Sequence, residues 1–129
     1  MADRLFVSLS YADAPAAIGW LEAVGFTLVR RQDDGERVVH AELRRGDAVV
    51  MVASDDAPYQ RAPLVGRSTG LGLYLLVDQV DEVFDAAVRA GADAVIPPED
   101  TEWGTRRARV VDPGGVEWSF GTYEPGAQW

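Results

Sequence analysis

Cysteine is absent from this 129-residue chain, so disulfides, thiolate catalysis and cysteine-ligated zinc or iron–sulfur centres are excluded. Histidine occurs once, at His40, which rules out a multi-histidine metal centre within one chain. Basic residues are scarce: 12 Lys and Arg stand against 21 Asp and Glu, giving a net charge of −9 and a pI of about 4.4. Nucleic-acid affinity rests mainly on Lys and Arg neutralising phosphates, so no nucleic-acid partner is expected. Docking on anionic lipid is disfavoured for the same reason. Neutral, cationic or locally Arg-paired small ligands are favoured instead. No apolar run approaches the roughly 20 residues a membrane helix needs. The opening Met-Ala-Asp-Arg-Leu lacks the basic-then-apolar order of a signal peptide, so a cytoplasmic protein is expected.

What is present has globular proportions, with 47% hydrophobic and 26% charged residues. A chain of this size forms one compact domain and buries roughly two-thirds of its unfolded surface. Residues 5–11, Leu-Phe-Val-Ser-Leu-Ser-Tyr, alternate apolar with small or polar and predict a strand. Asp13 is a plausible helix N-cap, and Pro15 suits the first turn. Ala17, Ile18, Leu21 and Val24 then recur at spacings of three and four, the mark of an amphipathic helix. Gly25 supplies a left-handed cap, and Phe26 to Val29 starts another strand.

The second half repeats this order. Leu71 to Val77 predicts a strand, and Asp78 precedes a helix carrying Val80, Val83, Phe84, Ala87 and Val88. Gly91 caps it before a strand from Ala92 to Ile96, and Leu5 and Leu71 stand 66 positions apart. Strands near 37–44 and 47–53 turn at Arg45-Gly46-Asp47, and strands near 106–111 and 116–122 turn at Asp112-Pro113-Gly114-Gly115. Each half is therefore strand–helix–strand–strand–strand. The fold class is α+β: two βαβββ modules in tandem, about 4–54 and 70–123, within one domain spanning 1–129. Long loops are expected at Ser54–Gly70, which carries Pro58, Pro63 and Gly66, and at Pro97–Thr105.

These residues resemble the vicinal-oxygen-chelate superfamily of glyoxalases, bleomycin-resistance proteins and dioxygenases, and its bleomycin-resistance-like branch in particular. The carriers are the duplicated unit, Tyr11-x-Asp13, His40-Ala41-Glu42-Leu43 with Gly46-Asp47, and Trp103-Gly104-Thr105-Arg106 followed by Val111-Asp112-Pro113-Gly114-Gly115. The resemblance covers almost the whole chain. It implies eight strands in curved, U-shaped sheets, helices on the convex face, a ligand in the concave one, and a homodimer with modules paired within or between chains.

Strand alternation assigns faces independently of that resemblance. Leu5, Val7, Leu9 and Tyr11 share a side, as do Leu71, Leu73, Leu75 and Val77, and Val116, Trp118 and Phe120. These apolar sets are expected under the helices. The opposite sides carry Phe6, Ser8 and Ser10, then Gly72, Tyr74 and Leu76, then Glu117, Ser119 and Gly121, a mixed surface suited to a ligand cleft or to plain solvent. Arg107 and Arg109 share a face of their own strand, and their role stays open. Trp118 belongs to the core. Trp103 serves as a loop anchor or a ligand ring, and Trp20 and Trp129 serve packing or a subunit interface.

In metal-using members of the resembled family, ligands occupy positions that fall near Phe6, Met51, Gly72 and Ser119 here. Phe, Gly and Met offer no donor for a divalent ion of the kind that family uses, so no metal and no cofactor are expected. The rival is a divalent metal at His40, Glu42 and Glu117. No Ser–His–Asp spacing or phosphate-cradling glycine loop stands out, and the catalytic residues stay unassigned. The expectation is a metal-independent protein binding a small organic molecule, cationic or planar, and sequestering an antibiotic as the resemblance implies. Ligand contacts would come from Phe6, His40, Glu42, Met51, Tyr74, Trp103 and Glu117. The alternative is a glyoxalase-like lyase or isomerase, or a dioxygenase-type enzyme, with an atypical metal site.

Overall fold

A computed structural model describes residues 3–57 and 69–126 of the chain. Most of the expected first connector, including Pro58, Pro63 and Gly66, lies outside the described residues, as does Trp129. The chain divides into two compact units, Met1–Ala62 and Pro63–Trp129. The first holds β1 (Val7–Tyr11), α1 (Ala14–Ala23), β2 (Thr27–Asp34), β3 (Arg37–Arg45) and β4 (Ala48–Ser54). The second holds β5 (Gly72–Leu76), α2 (Val80–Arg89), β6 (Asp93–Asp100), β7 (Arg106–Val111) and β8 (Glu117–Gly121). The sheets run β1-β4-β3-β2 and β5-β8-β7-β6, so each unit is the expected βαβββ module. In both, the first strand lies parallel to the last, and the rest pair antiparallel. The parallel pair follows from the helical crossover, since a tight hairpin cannot join parallel strands. Among the described residues no helix is long and apolar enough to cross a membrane.

Local chemistry starts and stops the helices. Asp13 Oδ1 accepts the Ala16 N–H at 3.1 Å, a cap of the kind that contributes about 1 kcal/mol. The second helix starts at Gln79 without a side-chain cap, and Asp81 and Glu82 in its first turn face the positive end of the helix dipole instead. Gly25 and Gly91 follow the two helices at φ +103 and +114, conformations that a Cβ disfavours.

One face of each sheet is covered. In the first unit Leu9, Tyr11, Ala41, Leu43, Val50 and Val52 are buried, with Ile18, Trp20, Leu21 and Val24 of the helical segment. Trp20 therefore serves packing. In the second unit Leu75, Ala108, Val110, Trp118 and Phe120 are buried, with Val80, Val83 and Ala87 of α2. The alternation rule fails at the strand ends. Leu5 is 97% exposed and Leu71 71% exposed, and neither belongs to a strand or packs beneath a helix as expected. Parallel pairing starts only at Val7↔Val50 and Gly72↔Glu117, so both leucines precede the first paired residue of their strands. The loop expected from Pro97 also shortens, because β6 continues through Pro97 and Pro98 to Asp100. It is the outermost strand of its sheet, where a missing N–H breaks no ladder bond on the open side.

The hairpin at Asp112 is more than a turn. This carboxylate is 3% exposed. Its Oδ1 accepts the N–H groups of Gly114 and Val116 at 3.0 and 2.9 Å, and its Oδ2 accepts the Trp118 indole N–H at 3.0 Å. One side chain thus holds the turn and fixes the ring that fills the core beneath it.

The duplication extends to irregularities. Pairing of β2 with β3 skips Val29, between Leu28↔Leu43 and Arg30↔Glu42. Pairing of β6 with β7 skips Val95, between Ala94↔Val110 and Ile96↔Arg109. The two bulged valines stand 66 positions apart, 95 less 29, the same offset as Leu5 and Leu71.

Candidate functional site

The sheet face away from the helix carries the candidate residues in each unit. In the first, β-pairing builds one row across four strands: Ser8, Met51, Glu42 and Arg30. His40 lies two residues before Glu42 and therefore on the same face. Its Nε2 stands 2.7 Å from Glu42 Oε2, and because an ionised carboxylate only accepts, the imidazole donates. The His40 hydrogen bond, reinforced by the charges of His40 and Arg30, holds the Glu42 carboxyl below the usual carboxylate range. Its share of stability is therefore present above the unfolded carboxylate pKa and lost as pH falls through the lowered value. Replacing His40 with Ala is expected to return Glu42 upward toward its ordinary range, leaving only the weaker pull of Arg30. Carboxyl carbon shifts of Glu42 followed by NMR across an acid titration check this, and an unmoved midpoint would refute the assigned cause. Phe6 lies just outside β1, with the Arg4 guanidinium 4.8 Å from its ring centroid.

In the second unit the corresponding row is Tyr74, Ser119, Arg109 and Ile96. Tyr74 is 42% exposed, and its hydroxyl donates to the Tyr123 carbonyl at 2.6 Å. Burial pushes the Tyr74 phenol above its usual range, so it stays a neutral donor at neutral pH. The ring lies against Gly121, whose missing side chain makes room for it: a Cβ there would meet the Tyr74 hydroxyl and ring. Gly72 does the same for Glu117, whose Oε2 would stand 2.5 Å from an added Cβ. The ring is therefore held in place, and its outer surface remains available.

Trp103 is not brought beside Tyr74. It sits on the turn between β6 and β7, while Tyr74 lies on the strand at the other edge of that sheet. Thr101 and Thr105 close the turn, with their hydroxyls 2.7 Å apart and the Thr101 N–H donating to the Thr105 carbonyl at 2.8 Å. The indole is 73% exposed beside a shallow depression of about 320 Å³ that Glu99, Glu102 and Arg107 help to line. Next to this turn, Arg106 donates to Asp81 at 2.6 and 2.9 Å and to Asp100 at 2.9 Å, tying α2 to the sheet. Both carboxylates, Asp81 foremost, raise the Arg106 pKa, and in return Asp81 is held low by Arg106.

The strand faces do not fit the metal chemistry of the resembled family. The residues near which the resemblance puts that family's ligand positions, Phe6, Met51, Gly72 and Ser119, together offer one hydroxyl and a thioether. Of the rival set, His40 and Glu42 bond to each other, and the Glu117 carboxylate leans over Gly72. Among the described residues no three His, Cys, Asp or Glu gather in a way that could hold a metal ion.

The alternation rule placed His40 and Glu42 on one face, and the structure adds their bond. What it could not supply were the partners of the strand arginines. Arg107 donates to Glu99 at 2.8 Å, whereas Arg109 donates to Ser119 Oγ at 3.3 Å. No local signal marks that difference, because the Pro97-Pro98 irregularity sets which carboxylate reaches which arginine.

Comparison with known proteins places this architecture. The family model described as the Glyoxalase/Bleomycin resistance protein/Dioxygenase superfamily matches residues 5–120. An uncharacterised protein of Mycobacterium bovis is 38% identical over 90 residues, 66% of this chain, and the aligned region spans 59% of that relative's length. The crystal structure of TioX from Micromonospora sp. ML1 is similar at a TM-score of 0.75 with 35% identity, covering 95% of this chain and 100% of TioX. A bleomycin-binding protein complexed with bleomycin shares the fold at a TM-score of 0.62 with 21% identity, covering 95% of this chain and 100% of its own. With two βαβββ modules and a family match over nearly its whole length, this chain belongs to the glyoxalase, bleomycin resistance protein and dioxygenase superfamily.

Proposed function

We propose that this chain is a small-molecule binding protein without a resident metal, resembling the bleomycin-resistance proteins and sequestering an antibiotic. What supports the reading is the donor chemistry of the strand faces: the positions that the family resemblance assigns to ligands fall near Phe6, Met51, Gly72 and Ser119, a set suited to apolar and close contact and unsuited to a cation. Exposed rings at Tyr74 and Trp103 offer stacking surfaces for a planar ligand. Phe6 and Met51 add apolar contact, and His40, Glu42 and Glu117 add polar contact. The bleomycin complex of a protein with the same fold supports an organic ligand of this kind. The net charge of −9 suits a cationic one. In this reading the protein works in the cytoplasm as a homodimer, as resemblance to the family suggests.

Calorimetric titration with metal-free bleomycin tests the proposal, alongside elemental analysis of protein purified without a metal-chelating step. Saturable binding is expected, weakened about tenfold or more by Trp103→Ala and by Tyr74→Ala without unfolding the protein. Metal is expected at well below one ion per chain. Near-stoichiometric manganese, iron, nickel or zinc, with destabilisation by EDTA, would replace this reading with a metalloenzyme. Unchanged affinity in both variants would remove the two rings from the site.

A further inference from the structure

The shared bulges allow the two strand faces to be compared position by position. Arg30 follows bulged Val29 and pairs with Glu42, and Ile96 follows bulged Val95 and pairs with Arg109. Arg109 therefore takes, in the second module, the place that Glu42 takes in the first. The repeat has kept its geometry and reversed its charge.

The second module neutralises its other strand arginines. Arg106 is held by Asp81 and Asp100, and Arg107 by Glu99. Arg109, half-buried on the same face as Arg107, has no carboxylate within 4.0 Å among the described residues. Among the described residues its side chain makes one hydrogen bond, to the neutral Ser119 hydroxyl at a long 3.3 Å, and a guanidinium has five N–H donors to satisfy. Glu117, on the same face of β8 two residues before Ser119, turns its carboxylate away from β7 to lean over Gly72 on β5, and it makes no ion pair with Arg109. In a sheet whose other strand arginines are each held by carboxylates, a half-buried cation left without one among the described residues marks a place for an anion from outside.

We infer that the second module carries an anion subsite at Arg109 and Ser119, taking the carboxylate of a flat organic ligand beside the Tyr74 ring. A carboxylate matches the planar guanidinium fork in two parallel bonds, and a single negative charge is tolerated by an acidic protein better than a phosphate dianion. The inference rests on the ligand-binding reading above, keeps its flat organic ligand, and gives that ligand a carboxylate at this module whatever cationic groups it carries elsewhere.

The test compares two probes, 2-naphthoate and neutral 2-naphthylmethanol, by calorimetry on the full chain. The carboxylate is expected to bind at least about tenfold tighter than the alcohol, with an advantage that shrinks as salt rises. Arg109→Gln erases that advantage and leaves the alcohol's affinity alone, and Arg89→Gln on α2 changes neither. Ser119→Asp, which sets a competing carboxylate beside Arg109, provides a second route to the same loss if Arg109→Gln fails to fold. Equal binding of both probes by the unmodified protein would overturn the anion subsite and leave the ligand-binding reading standing. Binding of neither would overturn the anion subsite too, and the bleomycin titration above then decides the ligand-binding reading. An advantage that survives Arg109→Gln would move the subsite elsewhere.

Discussion

Asp112→Ala is expected to lower the free energy of unfolding by about 3–5 kcal/mol, a loss that rests on the cost of buried donors left without partners. The carboxylate accepts two backbone N–H groups and the Trp118 indole N–H, and all three bonds would be lost at once, the indole's in the buried interior and the other two partly buried. Trp118 is itself buried, so water cannot readily replace the lost acceptor. Asp112→Asn separates the contributions. Its amide oxygen can still serve the turn, but its NH₂ group then faces the indole N–H donor to donor, and an intermediate loss of about 1–3 kcal/mol is expected. Chemical denaturation of the three proteins, with indole fluorescence and circular dichroism as independent probes, measures the series. A loss below about 1 kcal/mol for the alanine variant would show that the hairpin holds without its carboxylate.

Phe120→Ala is expected to cost about 3–5 kcal/mol, because the ring is fully buried and its removal leaves a cavity as well as forfeiting its transfer energy. Tyr74, on the opposite face of the neighbouring strand, should cost far less when truncated, since its ring is partly exposed and gives up one hydrogen bond to a carbonyl near solvent. The contrast gives the binding experiments their meaning. A ligand lost from Tyr74→Ala reports on the face, whereas a ligand lost from Phe120→Ala reports on the fold. Denaturation midpoints for both variants check it, and equal losses would mean that Tyr74 is a core residue.

The sequence carried the fold well where local rules and long-range pairing agree. Asp13, Gly25 and Gly91 punctuate the helices as their chemistry demands, and the two turn motifs join the strands they were expected to join. It misled where pairing decides. Leu5 and Leu71 continue the apolar alternation ahead of the first residue that pairs with a neighbouring strand. Pro97 and Pro98 read as breakers, yet an outermost strand accommodates them. The candidate site divides along the same line. His40 and Glu42 share a face by parity alone, so their meeting was legible. The contrast between Arg107 and Arg109 depends on which residues of β6 lie opposite β7, a register that the irregularity between Ile96 and Glu99 hides from any local reading. Asp112 was visible as a turn former, but its hold on Trp118 needed the indole to be seen turning back onto it.

The duplicated sheets finish their outer edges in different ways. β6 carries two prolines, which have no N–H to offer an incoming strand. β2 has none and presents Arg30, Arg31, Asp33 and Asp34 along an exposed edge instead. Those four charges sum to zero, so β2 is guarded by the cost of stripping water from them and not by repulsion. Proline's obstruction is steric and holds whatever the incoming strand carries. A strand that brings complementary charges can therefore offset the guard on β2 and not the one on β6, so strand addition to this molecule should begin at the first module.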